Sequence, residues 1–313
     1  MTNIRTTTGA TDRVDASRLP GPRSMVRRRA SDPRAGAGAA GYALALQVAH
    51  PTIAAGVRDH SDYVADPWGR FFRTADFVTF LAYGDRTTVE QLAADLRRMH
   101  GSIRGTDHHG NRYSALEPSA YAWVHATLGI AIVHAHGRMG TRFTPAQREQ
   151  FWAEWLALGD VLGVRRAHLP ARWSGVDAYV QRMIDEVLED NDVVQQVKDT
   201  SEDVTGSPPV AWLPHQVWDV LSAPVAPILS FLGTGMLPPV LRERFGLAWT
   251  WRDEVAFRAW CRASRALGPV LPRFVRQSGP MMARTRKREV GPFGVPNRGA
   301  RLEGRRTTAV AAR

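Results

Sequence analysis

The chain has 313 residues, 44% of them hydrophobic, with a net charge of +11; it is long enough to bury a sizeable core as one large domain or two small ones. Its single cysteine, Cys261, excludes an internal disulfide framework and any cysteine-built zinc or iron–sulfur site. Residues 1–34 carry +5 and residues 284–313 carry +7, which leaves 35–283 at −1, so the charge gives no reason to expect nucleic acid on the folded part.

Residues 1–34 are rich in Thr, Ser, Gly, Pro and Arg and lack apolar periodicity, so a disordered Arg-rich tail is expected there. Arg27-Arg28-Arg29 faintly resembles a twin-arginine export signal. The apolar run behind it leads directly into His50-Pro51 and reads as core, so a cytoplasmic location is expected. Residues 42–49 and 53–57 are short apolar pieces split by Pro51. Asp66 is the expected cap of a helix over 68–82, with Pro67 in its first turn. Gly84-Asp85 ends that helix, and Thr87 or Thr88 caps the next, over 89–103.

Residues 105–113 read as a polar turn. A long apolar helix over 118–137 carries Tyr121, Trp123, His125 and His134, with His125 facing the core. Thr144-Pro145 opens a helix over 146–162 with Phe151, Trp152 and Trp155 as an aromatic stripe, and an amphipathic helix covers 175–190. The segment 220–241 has no charged residue and is long enough to span a bilayer. Its Pro224, Pro227, Pro238, Pro239, Gly233 and Gly235 favour a buried or membrane-grazing helical hairpin instead. A helix over 253–267 closes the fold. Strand alternation and internal repeats are missing. The expected class is all-α: one multi-helix domain over 35–283, followed by a disordered basic tail over 284–313.

Two short patterns carry chemistry. Arg70 and Thr74 stand four apart on one expected helix, and Arg97 and His100 three apart on the next, so each pair shares a helical face. His100 follows Leu92 and Leu96 on the apolar face. An inward imidazole can ligate haem iron while nearby arginines neutralise the propionates; it can equally be a satisfied core or helix-end residue. An inward Arg97 needs an anion, either a propionate or an aspartate such as Asp62 or Asp66. Arg70 and Arg73 lie on a helix made hydrophobic nearly all round by Phe71, Phe72, Phe77, Val78 and Phe80. A dianionic cofactor or substrate would compensate them, as would ion pairs with Asp66 and Asp76. Thr74 could hydrogen-bond a ligand or its own helix backbone.

Other groups are less specific. His50, His60, Asp62 and His100 could build a His/carboxylate metal centre without porphyrin, although neither they nor His108-His109 keep the spacing of zinc sites. Cys261 between Trp260 and Arg262 reads as a small core residue. Phosphate-cradling glycine loops, a dinucleotide fingerprint and a Gly-x-Ser-x-Gly elbow are all absent from the sequence.

Taken in order, five motifs resemble a known family: Leu46-Gln47-Val48-Ala49-His50-Pro51, Asp66-Pro67-Trp68-Gly69-Arg70, Tyr83-Gly84-Asp85, Met99-His100-Gly101-Ser102-Ile103-Arg104-Gly105 and Tyr121-Ala122-Trp123-Val124-His125-Ala126-Thr127. This is the MpaB-type oxygenase family built on the rubber oxygenase catalytic domain, which includes latex clearing protein. The resemblance spans most of the expected folded body. It implies an all-helical fold and a single haem b with His100 as proximal iron ligand. Arg97 and Arg73 would lie at the cofactor, and Arg70 and Thr74 among the catalytic groups. Where the rubber enzyme has a lysine, this chain has Arg73, a poor iron ligand.

The rubber enzyme also uses an upstream glutamate as base, whereas this chain has no glutamate before Glu90. His50, His60 or Asp62 would then fill the acid–base role, and polyisoprene cleavage is not expected to transfer. The implied activity is a haem b-dependent oxygenase that brings dioxygen to a small apolar, unsaturated substrate, with peripheral membrane contact open. A non-catalytic protein docking through its basic tails is the alternative of a different class.

Overall fold

The computed structural model describes residues 19–284 apart from Asp62, Val64, 201–207, 209–212 and Met282. Four of the long helices start by one local recipe, a side-chain oxygen in front of a proline. Asp32 caps α2 (Pro33–Val48), Asp66 caps α4 (Pro67–Tyr83), Glu117 caps α6 (Pro118–Arg138) and Thr144 caps α7 (Pro145–Leu162). Each oxygen accepts from an orphan N–H of the first turn, and proline has no N–H to leave unpaired. α3 (Pro51–His60) starts the same way behind His50, without a side-chain cap bond.

Three expectations need correction. The stretch 1–34 is not a tail throughout, because α1 (Met25–Arg29) lies inside it. Met25 and Val26 are buried, and the Glu154 carboxylate of α7 accepts from Ser24 Oγ at 2.8 Å and Val26 N at 3.0 Å. Two apolar residues and a cap suffice once α7 supplies the partner; residues 1–18 and 285–313 lie outside the described residues. α5 (Arg86–Ser102) is capped by Asp85 rather than by Thr87 or Thr88, since Asp85 Oδ1 accepts from both Thr88 N and Thr88 Oγ1. The polar turn is a hairpin of β1 (Arg104–Thr106) and β2 (Arg112–Ser114), antiparallel with Arg104 opposite Ser114. Three residues are too few for alternation to show in sequence, so the fold is mostly helical rather than helical throughout.

α6 is the axis, buried on nearly all sides between α2 and α7. Its Trp123 indole donates to Leu46 O of α2 at 2.9 Å. His125 stacks on Trp155 of α7, its Nε2 2.8 Å from Trp155 O, while Trp155 Nε1 donates to His125 O at 2.9 Å. His125 therefore faces the core as expected, and the 151–155 aromatic stripe is buried. Burying aliphatic and phenylalanine side chains such as Leu46, Phe80 and Phe151 contributes about 1.5–3 kcal/mol each.

Beyond α7 follow α8 (Val176–Glu186), α9 (Asp192–Thr200), α10 (His215–Ser222), α11 (Val225–Met236), α12 (Pro239–Arg244), α13 (Trp251–Leu267) and α14 (Arg273–Arg276). α11 crosses α2 at two glycines: a Cβ on Gly41 would fall 2.7 Å from Gly233 Cα, and one on Gly233 2.9 Å from Gly41 Cα. The middle of the uncharged segment is thus a single helix, α11, pinned to the body, and α10 does not fold back on it as the expected hairpin would. Among the described residues no single helix is long and apolar enough to cross a membrane; α10 and α11 pass by length and composition only as a pair bent by 43°.

Candidate functional site

His100 lies in the last turn of α5, edge-on to Tyr121 of α6 with ring centroids 5.7 Å apart. Its Nδ1 is buried without a hydrogen-bond partner. Burial, and then the Arg70 guanidinium, push the imidazole down to about 4, so it is neutral at pH 7. Tyr121 donates to Leu162 O at 3.1 Å, which ties the ring beside His100 to the end of α7.

His50, between α2 and α3, is 5% exposed, and its Nδ1 is likewise buried and unpartnered. Burial takes it down to about 4, against an upward pull from Glu117 and Glu189. Both carboxylates lie downstream of the arginine motif in sequence, not upstream of it. They arrive from the cap of α6 and from the link after α8, and no local spacing announces them.

Arg70 is half-buried and its Nη1 donates to Ser61 Oγ at 2.8 Å. Arg73 pairs with Asp66 at 3.4 Å, one of the ion pairs weighed for it. Thr74 is exposed and its hydroxyl donates to Arg70 O at 3.1 Å, the backbone alternative. Arg97 is exposed, contrary to the inward position entertained for it. Its long side chain extends past Gly163 at the end of α7, and its charge reaches Tyr121. His60 ends α3 exposed, with its ring 6.4 Å from that of Tyr113.

The structure therefore sets the His100 ring against Tyr121 with the Arg70 charge in electrostatic reach, and leaves His50 in the field of two glutamates. Asp62 lies outside the described residues. Among those that are described, His50, His60 and His100 do not converge as a three-ligand metal group. One turn along α4, Trp68, Phe71 and Phe72 cluster with Trp218 of α10, the Trp68–Trp218 centroids 5.3 Å apart. Two cavities, of about 520 and 500 Å³, lie elsewhere: one beside Arg27 and Tyr83, the other beside Tyr42, His134 and Arg242. Neither is lined by His50 or His100.

His50 and His100 are thus two imidazoles held neutral by burial, each with an Nδ1 that finds no hydrogen-bond partner. Residues 27–266 match the catalytic domain of the family described as ER-bound oxygenase mpaB/B'/rubber oxygenase, and the chain belongs to that family. Membership carries oxidoreductase activity of the oxygenase type. No curated protein and no solved structure matches the chain.

Proposed function

We propose that this chain is a haem b-dependent oxygenase that uses dioxygen on a small apolar, unsaturated substrate. The observation that supports this most is His100, an imidazole kept neutral by burial, unpaired at Nδ1 and adjacent to a guanidinium, within an oxygenase-family domain. That donor set fits the cofactor, because neutral imidazole is the form that binds iron. His100 would hold the iron, and Arg70, Arg73 and Arg97 would meet the propionates. Bound haem supplies the activation of dioxygen.

The chain's own groups do the rest. Tyr121 fixes the tilt of the His100 ring. Trp68, Phe71, Phe72 and Trp218 offer an apolar, water-excluding surface to the substrate. His50, neutral and buried near Glu117 and Glu189, takes the proton-accepting role in preference to exposed His60. Thr74 would exchange its bond to Arg70 O for one to a ligand. The exposed Val217, Val220, Leu221, Val225 and Ile228 of α10 and α11 support peripheral membrane contact as the route for an apolar substrate.

The test is an absorption spectrum of protein expressed with a haem precursor. Wild type is expected to show a Soret maximum, and His100→Ala to lose most of it. An unchanged variant spectrum would remove His100 from the site, and stoichiometric metal without a Soret band would replace haem with a non-haem centre.

A further inference from the structure

We propose a second metal site, at the tip of the β1–β2 hairpin, in which His108, His109 and Glu189 bind one divalent late first-row transition ion, zinc in the simplest case. It is independent of the haem reading. The histidines sit in the hairpin turn, and Glu189 comes from the link between α8 and α9, 80 residues along the chain from His109. One ligand atom from each residue lies within 4.8 Å of the others. His108 Nε2 stands 3.5 Å from Glu189 Oε1, and His109 Nε2 stands 3.4 Å from Oε2.

These separations are long for good hydrogen bonds. They are close to the edge of a tetrahedron around zinc, about 3.3 Å for bonds of about 2.0–2.2 Å. Glu189 Oε1 is also buried without a hydrogen-bond partner, an unmet acceptor facing His108. The set of two imidazoles and one carboxylate suits zinc, cobalt, nickel or copper, whereas magnesium and calcium prefer all-oxygen shells.

Both sides of the site are held before an ion arrives. The Asp107 carboxylate accepts from His109 N at 3.0 Å and Asn111 N at 2.7 Å, and Gly110 turns the chain at φ 82°. Across the site, Glu189 N donates to Ala49 O at 2.9 Å. Asp192 nearby is engaged by Arg58 and stays outside the ligand set. The exposed faces of His108 and His109 leave the remaining coordination positions to water. An ion here would tie the hairpin to the α8–α9 link, one residue from His50.

Full-length protein without a histidine tag is titrated with zinc chloride by calorimetry, and with Co²⁺ followed by visible absorption. One ion per chain is expected. His109→Ala and Glu189→Gln should each weaken zinc by about 10-fold or more, and the His108→Ala/His109→Ala double variant should lose the Co²⁺ bands. Absence of saturable zinc binding by wild type overturns the proposal, as does equal affinity in the double variant. Should an alanine variant also lose its helical circular dichroism, the near-isosteric Glu189→Gln decides: wild-type zinc affinity in that protein overturns the site. The Soret spectrum plays no part in this test, so its outcome is separable from that of the haem proposal.

Discussion

Arg70 and Arg97 look alike in sequence, each an arginine on the face of a helix that also bears a candidate ligand, yet they occupy different environments. Arg70 is half-buried, bonded to Ser61 and close enough to depress His100, whereas Arg97 lies in solvent. A charge-assisted bond in a partly desolvated place contributes about 1.5–3 kcal/mol, but an exposed ion pair about 0–1 kcal/mol. Arg70→Ala is therefore expected to weaken haem binding roughly 10–100-fold, and Arg97→Ala at most about fivefold. Haem titration of the two apoproteins checks the order, and the reverse order would move the propionates away from Arg70. The inward face of His100 was legible because Leu92 and Leu96 precede it at helical spacing. The exposure of Arg97 was not, because three residues of helix and a long flexible stem span both burial and solvent.

Among elements, α4, α6 and α7, each opened by a cap and a proline, were legible to within a residue or two, since both signals act through one turn of backbone. The start of α2 was not, because its Asp32-Pro33 lies in the stretch expected as a tail. α1 and the hairpin were not: each is too short to show a period, and α1 depends on Glu154 from α7. The uncharged 220–241 segment was legible as a broken, non-spanning stretch from its prolines, but its single helix α11 and the pinning of that helix to α2 through Gly41 and Gly233 depend on a crossing that no local pattern shows. What the crossing leaves outward is apolar, with Val220 75% and Leu221 55% exposed. Wild-type protein is accordingly expected to co-sediment with phospholipid vesicles, and Val220→Asp/Leu221→Asp to lose most of that binding without change in helical content. Equal sedimentation of the two proteins would assign the contact to another surface.

The whole molecule buries an unusual set of imidazoles. His50, His100, His125 and His136 are each taken down to about 4, in every case chiefly by burial. The unfolded chain takes up these protons at about 6.5, the ordinary imidazole value, and so binds more protons than the folded chain between there and about 4. Their contribution to stability is complete above the unfolded value and is lost as the pH falls through that window, by roughly 1.4 kcal/mol per pH unit for each group. Asp192, held down by Arg58, acts in the same direction only at lower pH. Urea midpoints are expected to be level above pH 7 and to fall steeply from pH 6.5 to 5. His125→Phe should be less stable at pH 7.5 but show a shallower fall, by about one imidazole's share. A flat profile in wild type would mean that these rings are solvated.

Length, composition, capping residues and apolar periodicity were enough by themselves to determine a mostly helical domain, the boundaries of α4, α6 and α7, its family motifs and His100 on an apolar face. All of these act within a turn or two of chain, where neighbours in sequence are neighbours in space. Only the tertiary structure decided which groups come together: the His100 ring with Tyr121 and the field of Arg70, His50 with the field of Glu117 and Glu189, and His108 and His109 with that same Glu189. Contacts between distant elements leave no fixed spacing in the sequence, because packing of whole helices sets them.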